Sequence, residues 1–317
     1  MAKRLPTEFS INMYLDKLMI LQQQELKYVN QMNYFDASSP CHLYFIGKRP
    51  RVIVDKDFFE ITEDYIGIKF LIQYKNQYKQ LPLKLENKFR DTNIKLNTKY
   101  PYNSFELILN NKQLFWAKAS TFIQTYYRKP YPLDFLDFEV LYIGQSYGVE
   151  GARTAPDRLV NHSTLQGIYA EAITNNPDSE IWIALASFSQ LNLVMFDGIS
   201  DFTDEEKSED KERFSNVFGK LNYEGINEQQ KINFTEAALI KYFEPPYNKI
   251  YKNSFPNPAH KTYSECYDLN INSVCFEMHT FEMANCQFYS ENIEKAPFHM
   301  KDFFLHSRED RKSMFDF

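Results

Sequence analysis

The chain has 317 residues, 44% hydrophobic and 25% charged, with nine Gly and a formal net charge of −6. That length allows two domains, or one domain with large additions, around a sizeable core. No apolar run approaches the roughly 20 residues a membrane helix needs, and the opening MAKRLPTEFS lacks the apolar stretch of a signal peptide, so a cytoplasmic protein with no membrane partner is expected.

In chain order, residues 11–33 (INMYLDKLMILQQQELKYVNQMN) hold enough helix formers and periodic apolar positions to predict one helix, broken between Asp36 and Pro40. From His42 to about Phe122 the pattern becomes strand-like: HLYFIG, RVIVD, YIGIKFLIQY, SFELILN and QLFWAKA, with Asn110-Asn111 among the turns. Residues 1–122 therefore read as a helix followed by a β-rich domain. Phe138 to Gly144 (FEVLYIG) is a buried-type strand leading into the loop QSYGVEGART. Pro156 suits the first turn of a helix with Thr154 as its cap, and that helix should continue to about Asn175. IWIALASF and LNLVMF read as two further strands, and residues 200–215 as an acidic exposed loop or helix start. A second helix is expected from about Glu228 to Phe243, ended by Pro245-Pro246. Residues 259–317 form a C-terminal extension with the strand-like run CYDLNINSVCFEMHTFEM.

Charge is divided unevenly. Residues 1–130 carry 20 Lys and Arg against 12 Asp and Glu, whereas residues 131–317 carry 16 against 30. A basic part joined to an acidic remainder assigns contact with a polyanion to the former. The four cysteines, Cys41, Cys266, Cys275 and Cys286, fit no dense disulfide framework and no paired metal motif. Cys266, Cys275, His279 and Cys286 match no familiar zinc spacing, so buried thiols are the simpler reading.

Four features of residues 123–258 line up. Tyr142-Ile143-Gly144 ends a strand, and Arg158 and His162 lie four residues apart on the next helix, about one turn (~6 Å) from each other on one face. Glu236 stands in the apolar run TEAALIKYF, and Asn248 follows the Pro-Pro break in PPYNK. Hydrolysis of a phosphodiester needs this set of groups. Negative charge grows on the non-bridging oxygens in the transition state, so a guanidinium stabilises it more than the ground state. Mg²⁺ keeps most of its waters and takes one or two protein carboxylates, so one glutamate suffices. The attacking water loses a proton, which a tyrosine hydroxyl or an imidazole relays.

The order of YIG strand end, arginine on the next helix, glutamate on a later helix and asparagine beyond a helix-ending proline resembles the GIY-YIG nuclease superfamily. The Arg-x-x-x-His pair resembles its restriction-enzyme branch. Other YIG-like tripeptides, Tyr65-Ile66-Gly67 and Gly167-Ile168-Tyr169, lack a downstream train of such residues in register. The family's first strand supplies a second tyrosine some ten residues before YIG. Here no GIY tripeptide stands there, and Tyr126, Tyr127 and Tyr131 in TYYRKPYP are the candidates, with Tyr127 preferred.

The resemblance implies an α+β fold, a small β-sheet flanked by helices over 123–258, with the β-rich N-terminal domain and the C-terminal extension added to it. It implies an endonuclease dependent on Mg²⁺ or Mn²⁺ that cuts double-stranded DNA to a 3′-hydroxyl and a 5′-phosphate, in restriction or anti-phage defence. Arg158 would stabilise the scissile phosphate, Glu236 would hold the metal and Asn248 would position a catalytic group. Tyr127, Tyr142 and His162 would serve proton transfer and phosphate binding. One such site cuts one strand, so a double-strand break requires a homodimer or two encounters. Two other readings remain open: a nucleic-acid-binding or sensor protein that keeps the nuclease fold without cutting, and a plain protein–protein interaction module suggested by 22 Tyr and 28 Phe.

Overall fold

The computed structural model describes residues 4–126, 134–147, 155–159 and 163–314. The first strand, β1 (Thr7–Leu21), occupies most of the segment expected to be helical. Helical turns follow it only as short pieces, among them α1 (Leu26–Val29). The correction has a clear cause. Phe9, Ile11, Met13 and Leu15 are buried at a period of two, and β1 has a strand on each side, which outweighs local helix propensity.

After β1 and α1 come β2 (Leu43–Pro50) and a run of hairpins: β3 (Val52–Ile61), β4 (Tyr65–Tyr74), β5 (Gln77–Glu86), β6 (Lys95–Asn97), β7 (Ser104–Leu109) and β8 (Lys112–Lys118). Helix α2 (Ala119–Tyr126) precedes β9 (Phe138–Gln145), the YIG strand. Next are α3 (Ala155–Leu159), α4 (Ser163–Asn175) and β10 (Ser179–Phe196), a single 18-residue strand where two were expected. The acidic excursion is helix α5 (Asp204–Gly219), started by a capping box between Thr203 and Glu206. Helix α6 (Glu228–Phe243) has the expected bounds, capped by Asn227 and closed at Glu244 in the left-handed region just before the two prolines. Then α7 (Glu265–Asp268), β11 (Ser273–His279), α8 (Thr280–Ala284), β12 (Phe288–Tyr289) and β13 (Phe298–Phe304) complete the described chain.

The expectation of a small sheet flanked by helices is corrected. The main sheet is mixed, curled and seven-stranded, in the order β12-β9-β2-β10-β1-β11-β13, and two three-stranded sheets, β3-β4-β5 and β6-β7-β8, accompany it. Strand accounts for 40% of the molecule and helix for 28%, the reverse of what a small sheet between helices gives. The physical reason lies in edges. Strands β9 and β10 are not neighbours, because β2 lies between them and pairs antiparallel with both. The far side of β10 pairs antiparallel with β1 over 14 registered positions, and β1 in turn takes β11 in parallel. Strands drawn from residues 1–122, 123–258 and 259–317 thus share one sheet. No described helix is long and apolar enough to cross a membrane.

Alternation along β2 divides the packing of this sheet. Leu43 and Phe45 face a core that includes Trp182, Ala184 and, from α6, Phe234, Ala237 and Phe243. Tyr44 and Ile46 face the other way, into a second cluster with Leu141, Ile183, Ala155 and Leu159 of α3, and Leu165 and Ile168 of α4. Helix α6 and the α3–α4 pair therefore cover opposite faces, with β9 between them.

Candidate active site

The last four residues of β9 organise the site. Tyr142 and Gly144 point toward the α3–α4 layer, and Ile143 and Gln145 toward α6. Register with β2 places Tyr44 opposite Gly144 and Leu43 opposite Gln145. The absence of a side chain at Gly144 has a specific use. A Cβ there would stand 2.5 Å from the Tyr44 hydroxyl oxygen and 2.8 Å from Cε1 of Tyr142, so only glycine lets both tyrosine rings lie against the strand. The two ring centroids are 6.2 Å apart. Tyr44 is buried and Tyr142 half-buried.

Tyr44, which the sequence did not single out, is the tyrosine on the strand beside Tyr142. The preferred candidate, Tyr127, lies outside the described residues, as do Tyr131 and His162, while Tyr126 ends α2 with an exposed ring stacked among Phe115 and Phe122. The strand beside YIG is β2, which precedes it by almost a hundred residues because the β3–β8 hairpins are inserted between them. The signal was present in HLYFIG, an apolar strand with a tyrosine and a glycine three residues apart.

Asn248 reaches the same strand from the segment after α6. Its Oδ1 accepts the Ile143 N–H at 2.8 Å, and its Nδ2 donates to the Ile143 carbonyl at 2.8 Å. The Tyr247 N–H donates to the Leu141 carbonyl at 3.1 Å. The PPYN segment therefore runs along the β9 edge that β12 leaves uncovered beyond Glu139, and the Asn248 amide acts as one residue of a pairing strand. Asn248 thus fixes the backbone between Tyr142 and Gly144. Tyr247 packs against the α3–α4 cluster, and its hydroxyl is pushed up to about 12 by burial, with Glu171 of α4 beside it.

Glu236 stands on α6 at 9% exposure. Gln145 Nε2 donates to its Oε2 at 2.7 Å and to Asn233 Oδ1 at 2.7 Å. Gln229 Nε2, one turn earlier on α6, donates to Gln145 Oε1 at 3.2 Å and to Asn233 Oδ1 at 3.0 Å, and Asn233 Nδ2 is held by the Thr262 carbonyl at 2.7 Å. This amide network couples the end of the YIG strand to the glutamate helix, and none of its glutamine or asparagine members was singled out in the sequence.

Arg158 belongs to α3, whose Ala155 N–H donates to the Cys41 carbonyl at 2.9 Å and whose Leu159 is buried with Tyr44. Its side chain is outside the described ones. Glu236 and Asn248 are thus hydrogen-bonded to the end of β9, with Glu236 and Gln145 on its α6 face and Tyr142 and Tyr44 on its α3–α4 face. Helix α3, which carries Arg158, packs in the layer across the sheet from α6 and Glu236.

Among the described residues no group of three or more His, Cys, Asp and Glu gathers around one point. The cysteines are free and buried, as expected from their spacing. Comparison with family models, curated proteins and solved structures returned no match.

Proposed function

We propose that the chain is a metal-dependent endonuclease that hydrolyses phosphodiester bonds of double-stranded DNA, in the manner the GIY-YIG resemblance implies. The observation that carries this reading is the convergence on β9. Two positions far apart in sequence, Glu236 and Asn248, are tied to its last four residues, Tyr142 among them, by the Gln145 amide and the paired hydrogen bonds of Asn248. Tyr44 supports it further by supplying a second tyrosine beside the first.

In this reading Glu236 holds Mg²⁺ or Mn²⁺, which when bound supplies Lewis-acid polarisation of the scissile phosphate. Arg158 offsets the charge that develops on the non-bridging oxygens. The hydroxyls of Tyr44 and Tyr142, with His162, carry the proton released by the attacking water. Asn248 holds the Tyr142–Gly144 backbone, and Gln145 fixes one Glu236 oxygen. Cleavage leaves a 3′-hydroxyl and a 5′-phosphate. The basic first 130 residues contact the duplex, and a homodimer brings two sites to the two strands. Restriction or defence against foreign DNA is the biological setting this chemistry suits.

A nucleic-acid binder that does not cut is the second reading. It is favoured by the opposite-face placement of α3 and α6 and by the Gln145 amide on Glu236. Supercoiled plasmid incubated with the full chain and Mg²⁺ or Mn²⁺ separates the two. Nicking that disappears in both Glu236→Ala and Arg158→Ala supports catalysis. Identical, metal-independent behaviour of all three proteins supports the binder.

A further inference from the structure

Strand β10 extends beyond its partner β1. The last registered pair is Leu21 with Ile183, so residues 179–182 of β10 are paired on one side only, by Trp182 opposite Gly47 and the residues before it. Beside that open edge lies a cavity of about 480 Å³, between the main sheet, α4 and the inserted hairpins. Its lining includes the polar side chains of Gln22, Arg51, Asn103, Tyr169, Asn176 and Glu180.

The polar groups are oriented, not merely clustered. Gln22 Nε2 donates to Glu180 Oε2 at 3.1 Å, while Gln22 Oε1 accepts from Lys118 Nζ at 2.8 Å and from Gln24 Nε2 at 2.9 Å. These bonds fix which end of the Gln22 amide faces Glu180. A carboxylate has about four acceptor positions, of which the Gln22 amide takes one, with the Trp182 indole also acting on the carboxylate. Burial raises the Glu180 pKa, with the charges of Arg51 and Lys118 acting against it, so the carboxylate gains from a ligand that brings it further N–H donors. The Arg51 guanidinium lines the same cavity, and its charge favours the Glu180 carboxylate. Tyr169 of α4 offers a ring at the wall, its hydroxyl pushed up to about 12 by burial.

We propose that this cavity is a binding site for a guanine nucleotide, with the base hydrogen-bonded to Glu180 and the phosphate paired with Arg51. Guanine presents adjacent N1–H and N2–H donors, which match a carboxylate as adenine, cytosine and thymine do not. Asn103 and Asn176 supply amides of the type that read base edges. Tyr169 supplies a surface for stacking, and a guanidinium beside the base is a fitted phosphate partner. The volume suits a mononucleotide, within the usual range of small-ligand sites. The site is separate from Glu236 and Tyr142 and does not depend on phosphodiester hydrolysis. The same chemistry arises from a free nucleotide or from a guanine unit of a nucleic-acid strand.

Isothermal titration calorimetry on the full chain tests this with GMP, guanosine, AMP and CMP, and with single-stranded oligothymidylate carrying one central dG or one central dA. The expected result is saturable GMP binding about tenfold or more tighter than AMP, the usual worth of one bidentate base contact. Glu180→Gln should remove the GMP preference, and Arg51→Met should weaken GMP while leaving guanosine unchanged. Arg51→Met also carries the test if Glu180→Gln does not fold, read from the difference between GMP and guanosine. GMP bound more tightly than the dG oligonucleotide identifies a free nucleotide, and the reverse identifies a strand. No saturable binding of either at millimolar concentration, or equal affinity for GMP and AMP, overturns the proposal. Glu236→Ala should bind GMP as the unaltered chain does, so loss of cleavage and loss of this site are read separately.

Discussion

Replacing Asn248 by alanine tests the clamp on β9. Asn248 is 8% exposed, and its amide satisfies both the N–H and the carbonyl of buried Ile143 at 2.8 Å. Truncation leaves two buried backbone groups without partners, and each such group costs about 1–3 kcal/mol. Partial entry of water along the strand edge lowers the upper end, so the expected loss is about 2–5 kcal/mol. Unfolding entropy scales with length, so in a chain of 317 residues each kcal/mol lowers Tm by about 1.5 °C, and the variant should melt about 3–8 °C lower. Asn248→Asp separates the two bonds. A carboxylate still accepts the Ile143 N–H but cannot donate to the carbonyl, so it too should be destabilised, whereas a substitution felt only by bound substrate would leave Tm unchanged. Differential scanning calorimetry, with urea unfolding as a second measure, reads both variants. A loss below about 0.5 kcal/mol in Asn248→Ala, the usual size of a surface substitution, would refute the clamp.

Gly144→Ala should cost about 1–3 kcal/mol, since its Cβ would collide with the Tyr44 hydroxyl and the Tyr142 ring; melting within 1 °C of the unaltered chain would show that the rings move aside freely. Tyr44→Phe should keep the fold yet lower the plasmid nicking rate by about 10²-fold or more, the usual worth of a proton-transfer group, while Tyr127→Phe should leave it unchanged; the opposite ranking would return the role to Tyr127. His299 is buried, with Nε2 at 2.9 Å from the Phe288 carbonyl and Nδ1 at 3.1 Å from the Tyr242 hydroxyl, and burial lowers its pKa below 6.5. Its neutral form is the one folding favours, so the stability is complete above about pH 6.5 and declines as pH falls below it, where the unfolded imidazole takes a proton first. Urea midpoints at pH 7.5 and 5.5 should therefore differ less in His299→Asn than in the unaltered chain, and an equal difference would contradict this.

The residues that were legible are those whose signals are local. Asn227 and Pro245-Pro246 bracket α6, and the apolar run FEVLYIG marks β9 without reference to any neighbour. What misled was context. The segment INMYLDKLMIL has helical composition, yet β10 and β11 claim its two edges, and pairing decides. The short link Ser189-Gln190 between IWIALASF and LNLVMF was expected to divide β10, but β1 pairs straight through it. Tyr44 was hidden by chain separation, because its strand joins β9 only after six inserted strands, and periodicity carries no information on such distant pairing. The Gln145–Asn233–Gln229 network was hidden for another reason. Amide side chains carry no distinctive spacing, and their meaning appears only when two elements bring them within 3 Å.

The central claim is that Arg158 and Glu236, carried on opposite sides of β9, act on one phosphate. A double-mutant cycle of plasmid nicking in Mg²⁺ tests it, using Arg158→Ala, Glu236→Ala and the two combined. Groups that serve one transition state are not additive, so each single variant should lose about 10²-fold or more and the double should be no slower than the worse single. Full activity in either single variant, or losses that simply multiply in the double, would contradict a shared site.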